Sequence, residues 1–156
     1  MALLQHVCFR MTLGTGDMED NNGKVAVVTG AAGGIGRVTA GMFAADGYTV
    51  LAVDLNDTVF EDGNIRFLRA DLCSYDDICG VFEYAKRSFG GVHVLVNNGA
   101  ISKFSKSIFE ITPEEFRRVI DTNLCGSFMC CKQFVEANRG MEYGRIINIA
   151  STRWHQ

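Results

Sequence analysis

The stretch Val25-Ala26-Val27-Val28-Thr29-Gly30-Ala31-Ala32-Gly33-Gly34-Ile35-Gly36 decides the fold. Its first five residues are a short apolar run rich in β-branched side chains, which reads as a buried strand. A glycine-rich turn comes next, and then a helical pattern with Ile35, Val38, Met42 and Phe43 on one face, stopped by Gly47. A strand, a tight turn and a helix in immediate succession form the opening of a βαβ unit.

Outward from that turn the alternation continues. Thr49–Val53 is a second apolar run, ending at Asp54, and Ile65–Leu68 is a third, leading to Asp71. Ser74 caps a helix carrying Ile78, Val81, Phe82, Ala85 and Phe89, closed by Gly90 and Gly91. Val92–Val96 is a fourth strand, with His93 at its start. Thr112-Pro113-Glu114-Glu115 opens a long helix: threonine at the N-cap, proline at the first position, glutamate closing a capping box. Phe116, Ile120, Leu124, Phe128, Cys131 and Val135 recur on one of its faces, Gly140 stops it, and Arg145–Ile149 is a fifth strand. Nearly continuous apolar strands alternating with helices predict a doubly wound α/β fold. It is a parallel sheet in the order 3-2-1-4-5 with helices on both faces.

Composition agrees with a single domain. The chain has 156 residues, 47% hydrophobic and 21% charged, with a net charge of −3. That balance argues against a nucleic-acid partner, which calls for a basic stripe, and no apolar run reaches the roughly 20 residues of a membrane span. Residues 1–22 read as a loosely held arm and 23–156 as a dinucleotide-binding domain. The arm lacks the basic start and cleavage site of a secretory signal. Six cysteines (8, 73, 79, 125, 130 and 131) show no C-x-x-C spacing, so they read as reduced thiols of a cytoplasmic protein, and no metal site is expected. His6, His93 and His155 form no cluster.

Chemistry concentrates at the ends of the strands. In the turn from Thr29 to Gly36, glycines let the backbone approach a pyrophosphate without Cβ clashes, and the helix beginning near Gly34 offers N–H groups and a positive dipole end. The alternative is a close-packing turn with no ligand. Asp54, 18 positions after Gly36, is placed to accept hydrogen bonds from both hydroxyls of an adenosine ribose and to repel a 2′-phosphate. Leu55 after it adds no positive charge, so NAD is preferred. Arg37 is the nearby basic residue that keeps NADP as the second option.

These motifs resemble the short-chain dehydrogenase/reductase family, in the T-G-x-x-x-G-x-G spacing and in the order of the later motifs. Asp71-Leu72 matches the family's adenine contact. Asn97-Asn98-Gly99-Ala100 matches its Asn-Asn-Ala-Gly, with the last two residues exchanged, and Thr122-Asn123-Leu124-x-Gly126 matches its catalytic-helix asparagine. Gly144-Arg145-Ile146-Ile147-Asn148-Ile149-Ala150-Ser151 is similar to the strand that delivers its catalytic serine. The resemblance implies cofactor contacts at Thr29, Gly30, Ala32, Gly33, Gly34, Ile35, Gly36, Asp54, Leu55, Asp71, Leu72, Asn98, Gly99 and Ala100. It implies catalytic roles for Asn123, holding a water of a proton relay, and for Ser151, bonding an alcohol or ketone substrate. It also implies a homo-oligomer for the complete family member, an expectation not extended to this chain, which reads as truncated.

The family's serine is followed by Tyr-x-x-x-Lys, in which tyrosine is the acid/base and lysine lowers its pKa. Here Tyr48, Tyr75, Tyr84 and Tyr143 are followed four residues later by Ala52, Cys79, Ser88 and Ile147. The sequence therefore reads as the N-terminal portion of an NAD(P)-dependent oxidoreductase, truncated after the fifth strand and inactive alone. The rival reading is a catalytically inactive dinucleotide-binding module, or a fragment acting in interaction or regulation.

Overall fold

A computed structural model describes residues 21, 23–102 and 107–151. Five strands, β1 (Val25–Thr29), β2 (Thr49–Asp54), β3 (Ile65–Arg69), β4 (Val94–Asn97) and β5 (Arg145–Asn148), form one sheet in the order β3-β2-β1-β4-β5. Every pairing is parallel. The helices are α1 (Gly34–Ala45), α2 (Tyr75–Phe89), α3 (Pro113–Ile120) and α4 (Ser127–Ala137), with a 3₁₀ turn at Ile108–Glu110. The predicted topology holds. Three strands differ in their bounds: β3 runs on to Arg69, β4 spans Val94–Asn97 and not Val92–Val96, and β5 ends at Asn148. His93 precedes β4, where its Nδ1 accepts the Val25 N–H at 3.0 Å. The arm expected over 1–22 lies outside the described residues except for Asn21, as do Cys8, His6 and His155.

Strand alternation sorts the core into two layers. Val25, Val27, Leu51, Val53 and Leu95 face Ile78 and Phe82 of α2 and Cys130 and Phe134 of α4. Ala26, Val28, Val50, Ala52, Val94 and Val96 face Ala40, Phe43 and Ala44 of α1. Leu51 and Leu95 are fully buried, so shortening either to alanine costs about 2–5 kcal/mol. Burial pushes the Cys130 thiol up to about 12, assisted by Cys131, and the five described cysteines are free.

The apolar stripe read along α1 is not the buried one. Of its four members only Phe43 is buried; Ile35, Val38 and Met42 are exposed. α1 instead presents Gly36, Ala40, Phe43 and Ala44 to the sheet. The same inversion occurs on the long helix. Phe116, Ile120, Leu124, Phe128 and Val135 are exposed, while Val119, Thr122, Gly126, Cys130, Phe134 and Ala137 face inward. Small residues permit close approach of helix to sheet, and the larger residues fall on the outer side. That helix is also not uniform: Asp121–Gly126 is π-helical and joins α3 to α4.

Candidate functional site

Strand β1 leads to β2 on one side and has β4 on the other, so the C-terminal ends of β1 and β4 form a switch point where a crevice opens. A cleft of about 330 Å³ lies there, lined among others by Gly30, Gly33, Asp54, Leu55, Leu72, Asn98, Gly99 and Ala100. These eight residues, expected from the sequence to contact a cofactor, are thus brought together.

Glycine is needed in the turn for two separate reasons. Gly30 has φ +65°, and a Cβ on it would lie 2.7 Å from Gly99 Cα. A Cβ on Gly36 would overlap the Gly30 carbonyl oxygen and lie 2.6 Å from Asn98 Nδ2. Both serve close packing. Around Gly33 and Gly34 nothing lies within 4 Å of such an atom, so the backbone there faces open space. At position 99 a Cβ would lie 2.6 Å from Leu72 Cδ1, the movable end of a side chain, and 3.1 Å from Gly30 N.

The N-terminus of α1 differs from those of its neighbours. Ser74, Ser107 and Thr112 each cap their helix by accepting a backbone N–H. Gly33, the N-cap of α1, supplies no side-chain acceptor, and the first turn carries no acidic residue. The leading N–H groups of an α-helix have no intrahelical acceptor. The backbone of Gly33 and Gly34 borders open space there, at the dipole's positive end, and fits an anionic phosphate.

Thr29 and Asn98 work inward. Thr29 is 2% exposed; its hydroxyl donates to Val96 O at 3.3 Å and accepts from Asn98 N and Gly99 N at 3.1 and 2.9 Å. Asn98 Nδ2 donates to the carbonyls of Thr29 and Gly30 at 3.0 and 3.1 Å. Together they lock the end of β4 onto the turn after β1. Asn97 donates to Asn148 Oδ1 at 2.9 Å and to Cys131 Sγ at 3.3 Å, joining β4, β5 and α4.

Asp54 accepts from Ala32 N through Oδ2 and from Asn56 N and Nδ2 through Oδ1. Arg37 is directed away from the turn, donating to Thr58 Oγ1 and Val59 O at 2.7 Å each and lying over the Phe60 ring. Asp71 is fixed by its N–H to Asp77 Oδ2 and by Cys73 N to its own Oδ1. That Asp71 N–H, together with the Ser74 hydroxyl, holds the Asp77 carboxyl below its ordinary value.

Asn123 lies in the π-helical segment and clamps the chain after β4. Its Oδ1 accepts Ile101 N and its Nδ2 donates to Ile101 O, both at 2.9 Å. The Asn123 carbonyl accepts the Ser127 hydroxyl at 2.8 Å. Ser151 follows β5 at the same sheet edge as Asn98–Ala100, two residues past the bond from Ile149 N to Asn97 O. Neither Asn123 nor Ser151 lines the cleft. Sequence reasoning missed Val53, Asn56, Ala70, Ile101, Arg118 and Thr122, which do. The four-residue spacing of Arg118 and Thr122 was the available signal, hidden by the louder apolar stripe on the opposite face.

The family whose profile matches is short chain dehydrogenase, over residues 24–156. The chain is 34% identical over 142 residues to the 2,5-dichloro-2,5-cyclohexadiene-1,4-diol dehydrogenase of Sphingobium indicum, covering 86% of this chain and 56% of that one. It is 33% identical over 133 residues to the acetoacetyl-CoA reductase of Paracoccus denitrificans, covering 82% and 54%. The ligand-free aldohexose dehydrogenase of Thermoplasma acidophilum superposes with a TM-score of 0.77 at 30% identity, over 85% of this chain and 51% of that one. The chain spans about half the length of the curated relatives it matches.

Proposed function

The chain belongs to the short-chain dehydrogenase family, and from that premise we propose that it is the dinucleotide-binding portion of an NAD(P)-dependent oxidoreductase acting on an alcohol or ketone. The single observation that carries this reading is the uncapped N-terminus of α1 opening beside a cleft that Asp54 lines. When bound, the nicotinamide supplies hydride exchange with the carbon bearing the oxygen. The chain's own residues do the rest. Backbone N–H groups at Gly34–Gly36 hold the pyrophosphate. Asp54 accepts the ribose hydroxyls and disfavours a 2′-phosphate, so NAD is the preferred form. Arg37, occupied by Thr58 and Val59, supplies no countercharge for NADP.

Asn123 fixes Ile101 in the cleft wall, and Ser151 is the hydroxyl offered to substrate oxygen. No Tyr-x-x-x-Lys occurs within the 156 residues, so this chain binds cofactor without an effective proton donor. General acid–base assistance supplies about 10²–10⁴-fold in rate, and its lack leaves little turnover.

Calorimetric titration of the 156-residue chain with NADH tests the reading, paired with an absorbance assay against alcohols, sugars and ketones. Saturable binding with negligible turnover is expected. Failure to bind NADH and NADPH alike overturns the dinucleotide site; steady turnover abolished by Ser151→Ala shows that another residue carries the proton.

A further inference from the structure

Two side chains that line the cleft carry charge, Asp54 and Arg118. Asp54 is engaged with Ala32 and Asn56. Arg118 is exposed, and among the described residues its guanidinium has no hydrogen bond, ion pair or ring contact. Its neighbour Arg117 pairs with Glu114, and Arg69, on β3, donates to Leu55 O. Among the described residues Arg118 is thus the one cation lining the cleft, and it stands uncommitted.

Its position gives it a target. Arg118 lies one helical turn before Thr122, on the same face, and both line the cleft. Thr122 Oγ1 meets Cys73 Sγ at 3.1 Å, which sets this face of the long helix against the chain leaving β3. Closer approach is secured at Gly126, where a Cβ would lie 2.7 Å from Leu72 O. Ala70, Leu72 and Thr122 therefore line the cleft without charge, Ala70 and Thr122 buried, while Arg118 lines it as an exposed residue. Such a slot suits a flat heteroaromatic base. A planar guanidinium stacks on a π face, which an ammonium does less well.

We propose that Arg118 caps the adenine half of the dinucleotide, its guanidinium folding over the base held against Ala70, Leu72 and Thr122. This rests on the reading of the cleft as a dinucleotide site. Arg118 does not contact the nicotinamide half, and its effect is confined to ligands carrying adenine.

The test titrates NADH, ADP-ribose and nicotinamide mononucleotide against the 156-residue chain and its Arg118→Ala and Arg118→Lys variants. Arg118 is exposed, and circular dichroism checks that each variant is folded. Arg118→Ala is expected to weaken NADH and ADP-ribose on the order of tenfold, the scale of a desolvated cation–π contact. Nicotinamide mononucleotide is expected to be unaffected, and the loss to persist at raised salt with little recovery in Arg118→Lys. Unchanged ADP-ribose affinity in Arg118→Ala overturns the proposal while the dinucleotide site stands. Full recovery by lysine, with the effect erased by salt, overturns it too, because that is a diffuse charge and not a planar cap. A parent chain that binds none of the three ligands removes the dinucleotide site itself.

Discussion

Asp54 Oδ2 accepts the backbone N–H of Ala32 at 3.0 Å, fastening the end of β2 to the glycine-rich turn at the end of β1. The carboxylate thus shapes the turn, and under the proposed function it also meets the ribose. Substitution is expected to expose both.

The chain is expected to bind NAD(H) more tightly than NADP(H). Asp54→Ala lowers affinity for both, by roughly tenfold or more for NAD(H), since charge-assisted hydrogen bonds are worth about 1.5–3 kcal/mol. It also narrows the preference. Asp54→Asn keeps an acceptor near Ala32 but removes the charge, so its NADP(H) affinity rises relative to Asp54→Ala. Parallel titrations of the two cofactors measure this, and equal or tighter NADP(H) binding by the parent chain sinks the assignment.

Gly34 and Gly36 are expected to fail differently. Gly34 has φ +53° with open space where a Cβ would go, so Gly34→Val costs about 1–2 kcal/mol of backbone strain. The chain still folds while the branched side chain blocks the phosphate. Gly36→Ala drives a methyl into the Gly30 carbonyl, and overpacking of that kind costs about 1–3 kcal/mol. Urea unfolding beside cofactor titration separates the two. A Gly34→Val chain that binds NADH as the parent does would make the turn purely structural.

Asn123→Ala removes both bonds to Ile101. A loss of about 2 kcal/mol is expected, because the partly buried Ile101 N–H and C=O are left without that partner. Asn123→Asp retains an acceptor for the N–H but loses the donor, and is intermediate. Cofactor affinity falls in the same order, since Ile101 lines the cleft. Equal stability of parent and alanine variant in urea would show that the clamp contributes nothing.

His93 gives the chain a pH dependence. Burial first, and the Lys24 charge second, lower its pKa below the ordinary 6.5, and its Nδ1 must stay unprotonated to accept Val25 N–H. The unfolded chain therefore takes up a proton that the folded chain refuses. The contribution of neutral His93 to stability is fully present above about pH 6.5 and falls with pH below it, until the folded form also protonates. Urea midpoints measured across that window are expected to decline for the parent and to decline less for His93→Gln. Identical profiles for the two chains would assign the dependence elsewhere.

Much of the molecule was legible in its residues because the signals are local. The strand-turn-helix of Val25–Gly36, the capping box at Thr112–Glu115 and the alternation of apolar strands with helices depend on neighbours a few positions apart. Right-handed crossovers then leave few ways to order five parallel strands. The pairing of Asp54 with the glycine turn follows from that order.

Tertiary structure alone decided which helical face is buried and which polar groups meet. Ile35, Val38 and Met42, like Phe116, Ile120 and Leu124, form better apolar stripes than the faces that pack. Close packing nevertheless selects Gly36 and Ala40 on α1, and on the long helix Thr122 and Gly126 against the chain after β3, because small side chains let backbones come near. The inward turn of Thr29 and Asn98 joins residues 69 apart, and the Asn123 clamp on Ile101 joins residues 22 apart. Such partners are set by strand register and helix placement, which no local pattern encodes. Arg118 entered the cleft for the same reason: its face was fixed by the packing of Thr122 and Gly126 against the chain after β3, not by its own place in the sequence.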